Sequence, residues 1–243
     1  MSALLEVDRL TKHFGGVTAL EDCTFSVPSG TITALIGPNG SGKTTTFDLI
    51  TGYLRADRGA VAFDHRRVSR PRPTDLYHMG LTRTFQQPRV FRELTLVENL
   101  AVALPRPRVA LFRPGVTRAD RSRAEEVLAE FGLAALAENR ARELSFGQQK
   151  LLEFATVLMG RPKLVLLDEP TAGVNPVMIE AMERHIRDLH KGGITFLVVE
   201  HEMNLVMRMC DPVIVLDHGT KLAEGSPAEV GRDPLVLDAY LGA

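Results

Sequence analysis

Gly37-Pro38-Asn39-Gly40-Ser41-Gly42-Lys43-Thr44 fits the spacing G-x-x-x-x-G-K-[ST]. The chemistry of that spacing is anion binding. Phosphate oxygens must lie against backbone N–H groups, so side chains there have to be small. The N-terminus of a following helix adds free N–H groups and a positive dipole end. Lys43 brings a cation for the outer phosphates, and the Thr44 hydroxyl can serve a magnesium ion. Further on, Leu164-Val165-Leu166-Leu167 runs into Asp168-Glu169-Pro170. An aspartate at the carboxyl end of such a strand can reach a metal beside the phosphate loop, and the next glutamate can polarise a water for attack on the terminal phosphate. In-line hydrolysis needs both roles, charge neutralisation and orientation of the nucleophile. The loop alone does not select a reaction, since kinases, GTPases and transport motors share it. An acidic pair alone could simply end a strand. Together they point to magnesium-dependent hydrolysis of a nucleoside triphosphate.

These groups need elements to position them. Leu4 to Leu10 alternates apolar and polar residues as a half-buried strand does, and Ala19 to Val27 reads as a second strand. After the turn Pro28-Ser29-Gly30, the apolar run Thr31 to Ile36 ends directly at Gly37, and a helix is expected from about Gly42 to Thr51. The phosphate loop therefore has the strand-loop-helix context that it requires. Residues 52–64 read as a turn and a strand, and 66–84 as a basic stretch interrupted by Pro71 and Pro73. From about 86 to 160 strand-like runs are scarce, and 118–137 and 148–160 show helical periodicity, so an inserted helical lobe is expected. Residues 105–117 carry three prolines and read as a surface loop or broken helix. Strand signals return at Lys163–Leu167, Thr195–Val199 and Val213–Leu216, separated by helical segments at 176–190 and 202–209. Alternating strands and helices imply a parallel or mixed sheet covered by helices.

The bulk properties narrow the classes. A chain of 243 residues suits one large domain or a core with a smaller lobe. A net charge of −1 gives no overall field toward nucleic acid, and the Arg-rich stretches at 66–72 and 106–123 read as solvated surface. Cys23 and Cys210 are far apart and lack metal-ligand spacing, which fits free thiols in a reducing cytoplasm. The N-terminus has no signal-peptide core, and no run approaches the ~20 apolar residues of a membrane helix. Work at a membrane would require a partner.

Further motifs resemble one family in series. Leu144-Ser145-Phe146-Gly147-Gln148 looks like the signature of ABC-transporter ATPases, with Phe146 where a glycine is usual. The resemblance implies an α/β phosphate-loop cassette, 1–243, with a RecA-like core and antiparallel β-subdomain (1–85 and 161–243) and a helical subdomain at about 86–160. It implies ATP and Mg2+ as ligands. Phe14 would stack on adenine, and Gly37 to Thr44 with Thr45 would hold the nucleotide. Thr44, Gln86 and Asp168 would serve the metal, and Glu169, His201 and Gln86 the hydrolytic step. Ser145, Phe146, Gly147 and Gln148 would close over the ATP of a second cassette in a head-to-tail dimer. Gly173 and Asn175 occupy the D-loop position, Asn175 standing where most members carry aspartate.

Thr82-Arg83-Thr84-Phe85-Gln86, the segment Val90 to Leu100, the FGQQK form, the G-x-N-P D-loop and Val199-Glu200-His201-Glu202-Met203 are similar to the ATP-binding subunits of branched-chain amino acid importers. That implies permease partners, an extracytoplasmic solute-binding protein acting indirectly, and a place on the cytoplasmic face of the membrane. No nucleic-acid partner is expected. Cassettes for urea, amides, aromatic acids or lipid stay open as alternatives, as does a soluble ABC ATPase of iron–sulfur assembly. The TRTFQ and GVNP forms argue against that last reading.

Overall fold

The computed structural model describes residues 2–68, 70–105 and 115–241. Residues 106–114, shared by the Arg-rich stretch 106–123 and the expected loop 105–117, therefore lie outside the described residues.

Two sheets organise the chain. β1 (Ala3–Phe14), β2 (Val17–Pro28), β4 (Arg58–Phe63) and β5 (Arg66–Val68) form an antiparallel sheet in the order β2-β1-β4-β5. β3 (Ile32–Ile36), β6 (Leu81–Arg83), β7 (Leu164–Asp168), β8 (Thr195–Val199), β9 (Val213–Asp217) and β10 (Thr220–Gly225) form the second, in the order β10-β9-β3-β8-β7-β6. All its pairings are parallel except β10 on β9.

The apolar runs in β3, β7, β8 and β9 follow from burial of both faces of this sheet. Ile36, Val165, Leu167, Phe196, Val198 and Val215 join a core shared with the helices of the inserted segment. Their neighbours Leu35, Leu164, Leu166, Leu197, Val199 and Leu216 point the other way, into a core shared with the antiparallel sheet and with α1 (Lys43–Ile50). A strand's side chains alternate across the sheet, so continuous hydrophobicity is the pattern of a strand with no wet face.

Between β6 and β7 the described segments contain α3 (Leu96–Val102), α4 (Arg118–Glu130) and α5 (Phe146–Leu158), and no strand of either sheet. Capping boxes start all three, with Thr95 and Glu98, Thr117 and Asp120, and Ser145 and Gln148 as partners. The expected helix over 118–137 stops at Glu130. Gly132 takes a left-handed φ of 69°, and the Leu133 N–H turns back to the Leu128 carbonyl at 2.8 Å, which closes the helix end.

The basic stretch 66–84 holds more structure than its prolines suggested. β5 is followed by α2 (Pro73–Met79), which begins on Pro73 itself, and by β6. Proline suits a first helical turn because no intrahelical partner awaits its missing N–H. β1 extends past Leu10 to Phe14, beyond the alternation, because Arg9 has a positive φ of 47° and the register slips between Val7 and Leu10. That bulge reverses the phase of the pattern. α6 (Pro176–Lys191) precedes β8, and α7 (Met203–Met209), α8 (Pro227–Val230) and α9 (Pro234–Leu241) follow it. Cys23 and Cys210 are buried free thiols, pushed up to about 11 and about 12 by burial.

Candidate nucleotide site

β3 delivers the chain to the phosphate loop at its carboxyl end, and α1 leaves the loop at Lys43. Gly37 has a φ of 148°, and a Cβ placed there would lie 2.0 Å from the Leu216 carbonyl oxygen. No side chain fits at that position. The residue before α1 is Gly42, which offers no side-chain cap, so the helix's first-turn N–H groups have no internal side-chain acceptor. Lys43 folds over the loop: its Nζ donates to the carbonyls of Gly37 and Pro38, each at 2.8 Å. Burial pulls the Lys43 ammonium below the usual lysine range, while Glu169 and Asp168 act against that shift. The loop and the acidic pair are thus within electrostatic reach of each other. A cleft of about 880 Å³ opens over Gly37 to Ser41, with His201, Asp217 and, from α9, Leu235 and Tyr240 on its other walls.

β7 ends in the acidic pair. Glu169 adopts a left-handed φ of 47°, a conformation that costs a non-glycine residue roughly 1–2 kcal/mol. Its N–H donates to the Val199 carbonyl at 2.9 Å, which holds the turn. The carboxylate is gripped on both oxygens. Gln86 Nε2 donates to Oε2 at 2.9 Å, and His201 Nε2 lies 2.9 Å from Oε1. Residues from three separate parts of the chain, 86, 169 and 201, meet here. Buried Glu200 positions the histidine and the acidic turn together. One of its oxygens accepts from the Thr171 N–H and hydroxyl at 2.9 and 2.7 Å, and the other from the His201 N–H at 3.1 Å.

Asp168 is buried, and burial raises its carboxyl above the usual range, with Arg83 working against the shift. Arg83 Nη2 donates to Asp168 Oδ2 at 2.8 Å. The Thr44 hydroxyl, the Asp168 carboxylate and the Gln86 amide oxygen are hard oxygen donors, the set that magnesium takes together with phosphate oxygens. Gln86 already donates its amide nitrogen to Glu169, so the oxygen is what it has for a cation. The donor chemistry therefore fits this ion.

The remaining sequence candidates lie around this centre. Phe14 ends β1 with 47% of its surface exposed, so it is not a core residue, and the Lys12 ammonium lies 5.4 Å from its ring. Thr45 sits in the first turn of α1 beside Thr44. In the signature, Ser145 Oγ accepts from the Gln148 N–H and Gln148 Oε1 from the Ser145 N–H, so both cap their own helix. Phe146 packs toward Gly173, where an added Cβ would lie 3.2 Å from its ring. Gly147 faces Met178 of α6. Asn175 caps α6, its Oδ1 accepting from the Met178 N–H at 2.9 Å. Asparagine and aspartate are equally good in that capping role.

Three side chains at the centre were not singled out from sequence. One is Arg83. The others are Lys150 and Glu153, one helical turn apart on α5. Lys150 Nζ donates to the Glu169 carbonyl at 2.8 Å, and Glu153 Oε1 accepts from the Arg89 N–H at 3.0 Å. The signature helix thereby holds both the acidic turn and the loop that carries Gln86. Charged residues three apart on a helix whose other buried positions are apolar are the available signal.

Burial pushes Glu153 up to about 7, although the N–H groups of Arg89 and Phe85 act against that shift. A carboxyl raised in the fold above its unfolded value binds its proton more tightly when folded. Its stabilising contribution is complete below the unfolded value and is lost as pH rises through 7. Glu153→Gln is expected to remove a pH-dependent loss on the order of 3 kcal/mol between pH 5 and 8. Urea unfolding at a series of pH values checks this, and an unchanged slope would show that Glu153 is not the titrating group.

A strand-loop-helix anion site, an acidic strand end and a convergent glutamine, glutamate and histidine define a phosphate-loop nucleoside triphosphatase. Residues 20–172 match the ABC transporter family, and residues 220–243 match the branched-chain amino acid ATP-binding cassette transporter family. The chain belongs to the ABC transporter family, as an ATP-binding cassette ATPase.

It is 36% identical to the probable branched-chain amino acid transport ATP-binding protein LivG of Methanocaldococcus jannaschii over 250 residues, covering 98% of this chain and 97% of that one. It is 37% identical to the high-affinity branched-chain amino acid transport ATP-binding protein BraF of Pseudomonas aeruginosa, with 98% of each covered. A crystal structure of a nucleotide-free ATP-binding cassette from an ABC transporter superposes with a TM-score of 0.90 at 36% identity, covering all of both chains. A dimeric cassette bound to ADP and phosphate superposes at 0.79 and 25% identity, over 92% of this chain and 98% of that one.

Proposed function

We propose that this chain is the ATP-binding and ATP-hydrolysing subunit of a membrane importer for branched-chain amino acids. Support for the cargo comes from full-length likeness to LivG and BraF and from the C-terminal match. The observation that carries the hydrolytic role is the Glu169 carboxylate held between Gln86 and His201 beside the phosphate loop.

In this reading the backbone N–H groups of Gly37 to Thr44 and the Lys43 ammonium hold the phosphates of ATP, and Phe14 stacks on the base. Thr44, Asp168 and Gln86 hold Mg2+, which when bound neutralises charge on the outer phosphates. Glu169 orients the attacking water, with Gln86 and His201 fixing both its oxygens, and His201 lies at the cleft to meet the terminal phosphate. The nucleotide is enclosed when a second cassette, identical or related, brings its own Ser145 to Gln148 segment over it, with Gly173 and Asn175 shaping the contact. Closure of the two cassettes, driven by tighter ATP binding in the closed state, would be passed to permease subunits through the helical segment after Gln86. Phe91 and Val102 are more than half exposed there, apolar surface suited to a permease helix. Among the described residues no helix is long and apolar enough to cross a membrane, so attachment to the cytoplasmic face would run through the permease. A solute-binding protein would act on the far side.

Reconstitution with a branched-chain permease pair, a second cassette and a binding protein in liposomes tests this. Leucine, isoleucine or valine is expected to raise ATP turnover several-fold and to accumulate. Stimulation by urea, an amide, an aromatic acid or lipid instead would reassign the cargo, and failure to associate with any permease would remove the transport reading.

A further inference from the structure

β6 is three residues long, yet its end feeds the acidic pair at three points. Arg83 donates to the Asp168 carboxylate, the Thr84 hydroxyl accepts from the Asp168 N–H at 3.3 Å, and Gln86 donates to Glu169. The Arg83 side chain is 5% exposed and reaches in a second direction as well. Its Nη1 donates to Asp48 Oδ1 and lies 3.4 Å from the Thr51 hydroxyl, both on or at the end of α1. One guanidinium therefore bridges a carboxylate on the phosphate-loop helix and a carboxylate at the end of β7.

The rings of Phe47, Tyr53 and Phe85 stand around that guanidinium, 5.5, 5.9 and 5.0 Å from its central carbon. Phe85 is the residue before Gln86. The Arg83 Nε is buried without a hydrogen-bond partner among the described residues. A group with an unmet donor, held for its two carboxylate contacts, is placed by what it bridges and not by complete local satisfaction. A planar fork can serve two carboxylates at once, which an ammonium on a flexible stem does less well.

We infer that Arg83 is a positioning residue for Asp168, fixing its carboxylate relative to the phosphate-loop helix through Asp48 so that both present their oxygens to one magnesium–nucleotide complex. This rests on the reading of Asp168 as a magnesium-binding group. Without Arg83, two acidic groups would face each other across the space between α1 and β7 and would move apart. Lys43 and the loop N–H groups bind phosphate directly, so nucleotide affinity in the absence of metal would be spared.

The test is binding of a fluorescent ATP analogue to the purified full chain, with EDTA and with Mg2+. Arg83→Gln is expected to keep affinity in EDTA within about twofold and to lose roughly tenfold or more of the gain that magnesium gives, the scale seen when groups supporting a metal ligand are removed. Arg83→Lys is expected to fall between the two. Should Arg83→Gln fail to fold, Arg83→Gln with Asp48→Asn removes the facing charge and is measured in its place, with the same loss expected. Asp168→Asn separates the two claims. If it abolishes the magnesium gain while the Arg83 variants retain it, Arg83 is only a structural ion pair and the inference is overturned. If Asp168→Asn itself retains the gain, the magnesium reading fails and takes the inference with it.

Discussion

Glu169→Gln is expected to bind ATP about as well as the unaltered chain and to lose turnover by roughly 100-fold or more. The geometry makes the substitution close to a single-variable change. Gln86 Nε2 donates to one Glu169 oxygen and His201 Nε2 lies against the other, both at 2.9 Å. An amide at 169 keeps one oxygen for one of these partners and has the shape of the carboxylate. What it loses is the negative charge that, in the proposed function, orients the attacking water. In the proposed function affinity is set elsewhere, by the phosphate loop and Lys43, which bonds to Gly37 and Pro38 and not to Glu169. Single-turnover hydrolysis with nucleotide binding in parallel checks the prediction. Turnover within a few-fold of the original would transfer the water-orienting role away from Glu169. A parallel collapse of ATP affinity would instead make the carboxylate part of the binding site.

The residues of this site differ in how openly the sequence declares them. The phosphate loop is legible because its demands are local: glycine where a Cβ would meet the Leu216 carbonyl, lysine and threonine at the start of a helix. Asp168 and Glu169 are legible because β7 is buried on both faces and reads as an apolar run that stops at them. Gln86 and His201 have no such local signature. Their types are common, and they were placed by the resemblance of whole motifs. Their convergence on Glu169 is a tertiary fact. Arg83 stands in the sequence only as part of the Thr82-to-Gln86 resemblance, with no role of its own, since a strand of three residues is too short to show a period. Lys150 and Glu153 point into the core from a helix otherwise apolar on that face, but which loops they hold depends on where α5 packs. The C-terminal elements β10, α8 and α9 carry no strong signal in the sequence. Yet α9 places Leu235 and Tyr240 on the wall of the cleft above the phosphate loop. Short helices beginning at Pro227 and Pro234 look like turns until their packing partners are known.

Lys43→Ala is expected to weaken ATP binding by roughly 10- to 100-fold, the scale of one or two charge-assisted hydrogen bonds. The fold gives this lysine a cost as well as a use. It is 6% exposed, and burial pulls its ammonium below the usual lysine range. A lysine whose folded value lies below its unfolded one binds its proton less tightly in the folded state. Its charge therefore works against folding while it is protonated; that opposition is complete below the folded value and fades as pH rises through the folded value toward the unfolded one. The two carbonyl bonds from Nζ to Gly37 and Pro38 offset part of this penalty by giving the ammonium acceptors while the loop waits for phosphate. Lys43→Met, which keeps the stem and removes the charge, should accordingly unfold at or above the original temperature at neutral pH while binding ATP as poorly as Lys43→Ala. Thermal unfolding and nucleotide titration on the same two proteins separate the contributions. If Lys43→Met melted well below the original chain, the ammonium would be a structural bolt of the loop. If either variant bound ATP with undiminished affinity, the phosphate-loop assignment itself would fail, because the rest of the loop offers only neutral N–H groups to an anion that carries its charge on the outer phosphates.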